Sequence, residues 1–142
     1  MRVLIAASVM VFGLTTAAQA GLRYYIDHDV LRENEGRALL ARAMQDIGKN
    51  PTGWSHRWCG RQMALWVGGE GSNVAREWAH YGSATDPRPG AIGVMKGHVG
   101  VVKEVQGSRV ILVSGNHAGK SGNRKVGIGT YPMSRFIAFR LP

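Results

Sequence analysis

The pattern of apolar and polar positions divides the chain into a helical first part and a strand-rich second part. From Val30 to Gly48, apolar residues recur every three or four positions, which predicts an amphipathic helix. A second helix is predicted to start at a Ser55 cap and to run through Cys59 to Trp66. A third, short helix is predicted from Ser72 to Tyr81.

After Pro87 the pattern changes to short segments rich in Val and Ile, separated by Gly-containing turns, which is typical of an antiparallel sheet. Five strands are predicted, at Ala91–Met95, His98–Val105, Arg109–Ser114, Arg124–Ile128 and Arg135–Leu141. The predicted fold class is therefore α+β, with N-terminal helices packed on a C-terminal antiparallel sheet of about five strands.

Length and composition limit the number of domains and the fold classes that are possible. The 142 residues are 44% hydrophobic and fit one domain. The 20 glycines show no period of three, so a collagen-like repeat is excluded, and a single cysteine excludes an intrachain disulfide framework.

The N-terminal segment has the layout of a secretory signal peptide. Arg2 is followed by an apolar run to Leu14, and Ala18-Gln19-Ala20 forms an A-x-A cleavage site. The expectation is a signal peptide at residues 1–20 and one domain at 21–142, exported to the periplasm or secreted. The apolar run is too short to span a bilayer, and no later stretch is long enough, so no transmembrane segment is expected.

Candidate chemistry centres on Cys59, His98 and Asn116. A cysteine near a helix start meets unpaired backbone amides and the helix dipole, both of which favour the nucleophilic thiolate. The hairpin between the second and third predicted strands brings His98 beside Asn116. The three residues can thus act as nucleophile, general base and orienting group, with the Asn116 carbonyl oxygen accepting a hydrogen bond from the His98 ring.

At these residues the sequence resembles the papain-like cysteine hydrolases of bacterial cell walls, specifically the CHAP type (cysteine, histidine-dependent amidohydrolase/peptidase) and its NlpC-type relatives. The resemblance covers about Trp54 to Leu141. It is carried by the ordered motifs Trp58-Cys59-Gly60, Arg88-Pro89-Gly90-Ala91-Ile92, Gly97-His98-Val99-Gly100-Val101-Val102 and Val113-Ser114-Gly115-Asn116.

The resemblance implies a papain-like fold and hydrolysis of amide bonds in peptidoglycan stem peptides through a thioester acyl-enzyme, by a monomer without a cofactor. Many CHAP domains carry a Glu shortly before the Asn, and here Ser114 and Gly115 occupy that stretch. The third role then falls on Asn116, with His117 as the alternative. The Cys59 backbone amide is expected to form half of the oxyanion hole, and Ser55 and His56 both stay open as the second donor.

Two other readings come from the same residues. A metal site built on His56 and Cys59 and completed by His98 and either His80 or His117 is chemically reasonable for zinc, but the H-E-x-x-H spacing is absent. A non-catalytic basic module is favoured by the net charge of +9, which the loss of Arg2 on cleavage lowers by one. Such a module would bind anionic envelope polymers. Export and the lack of an aromatic-interleaved basic stripe argue against nucleic acid. Cys59 distinguishes the hydrolase from the binding module, because a binding module needs no activated thiol.

Overall fold

The computed structural model describes residues 17–120 and 122–142. The first sixteen residues of the predicted signal peptide therefore lie outside the described residues. The elements in chain order are helix α1 (Ala17–Gln45), helix α2 (Cys59–Trp66), a 3₁₀ helix (Ala75–His80), strands β1 (Ser83–Ala84), β2 (Ile92–Met95), β3 (His98–Gln106), β4 (Arg109–Ala118) and β5 (Lys125–Pro132), a 3₁₀ turn (Met133–Arg135) and strand β6 (Phe136–Leu141). The mixed α+β class predicted from the sequence is confirmed.

Helix α1 is longer than the predicted segment and begins before it. It spans Ala17–Gln45, and no proline interrupts this stretch. The predicted stop is close to the observed one, because Gly48 has a positive φ of 82° and its amide donates to the carbonyl of Val126. The chain leaving α1 is thereby fixed to strand β5.

Helix α2 starts at Cys59, so the cysteine occupies the first helical position. The predicted Ser55 cap is wrong: Trp58 holds the N-cap position and makes no side-chain cap hydrogen bond. Arg57 has a φ of 52°, which breaks the helical path between Ser55 and Trp58. The predicted third helix is shorter and tighter than expected, a single 3₁₀ segment at Ala75–His80.

The sheet has six antiparallel strands in the order β1-β6-β2-β3-β4-β5. Strands β2 to β5 form the expected meander, and the predicted hairpin loop after Gln106 is present, with Gln106 paired to Arg109. The meander does not continue to the end of the chain, because β6 returns to the other edge of β2 and pairs also with the short strand β1. The count of about five strands thus omits only this two-residue edge strand.

The largest buried cluster contains residues from the helices and from the sheet. Trp58, Met63 and Trp78 contribute the largest side chains from the helical segments, and valines of β2, β3 and β4 contribute from the strands. Trp58 is fully buried and lies directly before Cys59. The start of α2 is therefore anchored in the core, which fixes the position of the cysteine.

Candidate active site

Cys59 is the first residue of α2, and its side chain is nearly buried, with 6% of the residue exposed. Burial raises the pKa of the Cys59 thiol, while backbone hydrogen bonds from Val99, Gly60 and Cys59 itself act in the opposite direction. The backbone donors at the helix start favour the thiolate, as expected, but desolvation outweighs them and the net shift of the Cys59 pKa is upward. The resting group is a neutral thiol.

Two glycines permit the close packing that holds this thiol. A Cβ atom on Gly60 would overlap the backbone carbonyl of Asn73, and a Cβ on Gly115 would lie 2.6 Å from the Trp58 ring. The start of α2 is thus in contact with the Asn73 backbone and, through Trp58, with the end of β4. These contacts leave the Cys59 backbone little freedom to move.

His98 is the first residue of β3, directly before Val99, whose backbone acts to lower the pKa of the Cys59 thiol. Its Nε2 atom lies 2.8 Å from the Ser114 hydroxyl. Burial lowers the pKa of His98 to about 4, and the nearby positive groups His117, Arg135 and Arg124 lower it further. At neutral pH the imidazole is uncharged, which is the form that can accept a proton.

Asn116 does not make the predicted orienting bond. Its carbonyl oxygen is buried and has no hydrogen-bond partner among the described residues, and the hydroxyl of Ser114 bonds the His98 ring in its place. The backbone explains the difference, because Asn116 has a φ of 55°, and this left-handed conformation departs from the strand geometry in which facing side chains meet. Asn116 nevertheless lines the same cavity as Cys59.

That cavity has a volume of about 590 Å³, and Arg57 and Lys96 supply its charged lining. A second cavity, of about 410 Å³, is lined by His98 and Arg135. Lys96 and Gly97, the turn between β2 and β3, line both cavities. The nucleophile and base candidates therefore lie on the two sides of one basic turn. Ser55 and His56, the two candidates for the second oxyanion donor, are exposed and are not among the residues that line either cavity.

The sequence reasoning missed Ser114 and Tyr131. Ser114 is fully buried, and the Tyr131 hydroxyl lies 2.9 Å from Nδ1 of His117. A signal for Ser114 was present: it continues the apolar alternation of Val110 and Leu112 along a buried strand, and a buried polar group needs a partner. Tyr131 lies on β5, and neither its spacing nor its neighbours in the sequence connect it with His98.

The structure bears on two further questions, whether the chain holds a metal site and whether it contains a membrane-spanning helix. Within residues 17–120 and 122–142 no group of three or more His, Cys, Asp or Glu side chains is arranged to hold a metal ion. In the same part of the chain, no helix combines the length and hydropathy needed to cross a bilayer. No family model, curated protein or solved structure matches the chain.

Proposed function

We propose that the chain is an exported, papain-like cysteine hydrolase that cleaves amide bonds of peptidoglycan stem peptides, with Cys59 as nucleophile and His98 as general base. The observation that carries the proposal is the connection between these two residues. The backbone of Val99, the residue next to His98, is one of the groups that act on the pKa of the Cys59 thiol, and Nε2 of His98 lies 2.8 Å from the Ser114 hydroxyl. A thiol with a neighbouring, oriented imidazole is the minimal unit of thiol acyl transfer.

The reaction begins from a neutral pair. With Nε2 bonded to Ser114, the other ring nitrogen, Nδ1, takes the thiol proton as the sulphur attacks the substrate carbonyl carbon. The amine then leaves with the proton from His98, and a thioester to Cys59 remains. Water, deprotonated by His98, hydrolyses the thioester, which releases the carboxylic acid and restores the thiol.

The Cys59 backbone amide at the start of α2 is proposed as one donor to the oxyanion that develops on the substrate carbonyl. Asn116, which lines the cavity with Cys59, is assigned to the substrate side of the site. Lys96 and Arg57 give this cavity a positive lining, which suits peptides that carry free carboxylates.

The papain-like fold belongs to this proposal as well. It is supported by the order of elements, a cysteine helix followed by the histidine strand in an antiparallel sheet. It is also supported by the mixed cluster in which Trp58 and Met63 of the helical part share a core with sheet valines.

The proposal is tested by incubating the purified chain with isolated sacculi and identifying the released fragments by mass spectrometry. The wild type should release peptide fragments with new carboxyl and amino ends, and Cys59→Ala should release none. His98→Gln should lose activity, whereas His80→Gln, a change at an exposed histidine outside both cavities, should retain it. Equal release by wild type and Cys59→Ala would refute the nucleophile assignment. Binding without release by any form would favour the basic binding module instead.

A further inference from the structure

The cavity beside Cys59 carries positive charge that no acidic group of its lining balances. Arg57 and Lys96 line this cavity, and none of the described residues that line it is an Asp or a Glu. Neither cation forms an ion pair or a side-chain hydrogen bond with another described residue. Both charges are therefore available to a ligand that enters the cavity.

Two other cavities of the described chain differ in this respect. One of them is lined by Arg42 together with Glu35. The other includes Arg88 and Glu33, whose Nη1 and Oε1 atoms lie 3.0 Å apart. In both cavities the chain supplies a carboxylate alongside an arginine, whereas the lining of the Cys59 cavity supplies none. A carboxylate that balances Arg57 and Lys96 has to come from a ligand.

The backbone of two cavity residues is held in a conformation that residues with a side chain rarely adopt. Among the residues that the structure describes, Arg57 and Asn116 are the non-glycine residues with a positive φ, at 52° and 55°. Both line the Cys59 cavity. Unfavourable backbone of this kind persists where the surrounding structure enforces it, and it is concentrated at binding and catalytic sites. The fully buried Trp58 directly follows Arg57 and fixes its place beside the cavity.

Lys96 lines the same cavity from the sheet. It lies with Gly97 in the turn between β2 and β3, whereas Arg57 precedes α2. The two cations therefore come from separate parts of the fold. A guanidinium binds a carboxylate through two parallel hydrogen bonds, and an ammonium group adds a point charge. A carboxylate has enough acceptor sites for both groups, so a single carboxylate satisfies the pair.

We propose that Arg57 and Lys96 are specificity-determining residues, which bind a free carboxylate of the peptide substrate next to the amide bond that Cys59 attacks. The proposal deepens the function given above and rests on it for its catalytic consequence. It specifies the substrate class as stem peptides with a free carboxylate beside the scissile bond. Peptides in which this carboxylate is a carboxamide are disfavoured.

The positive potential at Cys59 can be measured without a substrate, from the rates at which iodoacetate and iodoacetamide alkylate the thiol. The two reagents differ chiefly in charge, and both react with the thiolate, so the ratio of their rates does not depend on the thiolate fraction. The ratio should be higher in the native protein than in the chain unfolded in urea. Arg57→Gln and Lys96→Gln should each lower it about 2- to 4-fold at low salt, as expected when one charge near the thiol is lost.

Arg109→Gln is the matched control for the loss of one positive charge. Arg109 is exposed at the start of β4, at the opposite end of this strand from Asn116, and it lines neither the Cys59 cavity nor the His98 cavity. This variant should keep the wild-type ratio of alkylation rates. High salt should lower the wild-type ratio, because it screens the attraction between iodoacetate and the cavity.

The substrate class is tested by calorimetric binding to Cys59→Ala, which leaves the peptide intact. The probes are the stem peptide L-Ala-γ-D-Glu-L-Lys-D-Ala with free carboxylates and the same peptide with its carboxylates converted to carboxamides. The carboxamide should bind about 10-fold more weakly. Arg57→Gln, added to Cys59→Ala, should weaken binding of the free acid about 5- to 10-fold and leave binding of the carboxamide unchanged. Arg109→Gln should change neither.

The proposal is overturned if the alkylation ratio is the same in the native and the unfolded wild type, if Arg57→Gln and Lys96→Gln change it no more than Arg109→Gln does, or if the free acid binds no better than the carboxamide. Failure of the proposed function is a separate result. If the ratio and the binding respond as expected but the wild type releases nothing from sacculi, the carboxylate site stands and the hydrolase does not. If sacculi are cleaved while the two peptides bind equally, the hydrolase stands and the carboxylate site does not.

Discussion

At the scale of single residues, the site pairs a neutral thiol with a neutral imidazole. Burial raises the pKa of Cys59 and lowers that of His98, so desolvation keeps both groups uncharged at neutral pH. In the proposed reaction, one proton is transferred between them during attack on the carbonyl. The reaction does not depend on an ion pair present before the substrate binds.

The low pKa of His98 predicts a specific loss of stability in acid. Between the ordinary value of 6.5 and the folded value of about 4, the unfolded chain binds a proton at His98 and the folded chain does not. Stability is therefore fully present above pH 6.5 and falls as pH decreases to 4, by about 3 kcal/mol in total. Urea unfolding at several pH values should show this slope in His80→Gln and a smaller one in His98→Gln. Equal slopes in the two variants would contradict the assignment.

The raised pKa of Cys59 predicts how the thiol reacts with small reagents. Because the folded pKa lies above the ordinary 9.0, the rate of alkylation should keep rising with pH beyond 9. The measurement is iodoacetamide labelling of native protein, with the unfolded chain in urea as the reference. A plateau below pH 8.5 in the native protein would mean that the backbone donors outweigh burial.

Residue roles were only partly predictable from the sequence. The position of Cys59 at a helix start and the closeness of His98 to the end of β4 follow from local patterns, and both are present. Ser114 rather than Asn116 bonds the His98 ring, and this difference depends on one backbone angle, the φ of 55° at Asn116. A strand pattern does not reveal where the regular backbone ends, so this angle could not be predicted.

At the scale of elements, the packing of α2 against the Asn73 backbone is the contact that fixes the thiol. Gly60→Ala would place a Cβ atom on the Asn73 carbonyl, and the displacement should destabilise the fold by about 1–3 kcal/mol, although alanine is the better helix former. Gly97→Ala is the control, since no atom lies within 4 Å of the added Cβ. Denaturant unfolding of both variants measures the difference. Equal stability would show that the start of α2 shifts at no cost.

Asp46, the residue directly after α1, joins this helix to α2 through a half-buried carboxylate. Asp46 accepts hydrogen bonds from Trp66 Nε1 at 2.9 Å and from Gln62 at 3.5 Å. Asp46→Ala leaves both buried donors without this partner and should cost about 1–3 kcal/mol of unfolding free energy. Asp86→Ala, at an exposed aspartate, should cost less than about 0.5 kcal/mol. A similar small loss for both variants in thermal or urea unfolding would contradict the role of Asp46.

The periodicity of the sequence predicts the strands well, but it does not predict their order in the sheet. Alternating Val and Ile predict the strands, and Gly107 predicts the β3–β4 hairpin. The return of β6 to the free edge of β2 depends on pairing over more than forty residues, between Ile92 and Arg140. No local pattern encodes such a partner, because several strand edges are equally compatible with an apolar strand.

At the scale of the whole molecule, positive charge should govern where the protein adheres. The chain has 18 Lys and Arg against 9 Asp and Glu, and attraction of this kind is screened by salt. Cys59→Ala, which leaves the substrate intact, should sediment with sacculi at 0.05 M NaCl and be released by 1 M NaCl. Retention that does not depend on salt would mean that shape-specific contacts dominate binding.

The central claim is that Cys59 carries the acyl group, and the most direct measurement is intact-mass spectrometry of the enzyme quenched in acid during turnover of soluble peptidoglycan fragments. The account predicts a mass increase equal to the acyl part of the substrate, located on the peptide that contains Cys59 and removed by hydroxylamine. Fragment release with no adduct on Cys59, together with unchanged release by Cys59→Ala, would contradict it.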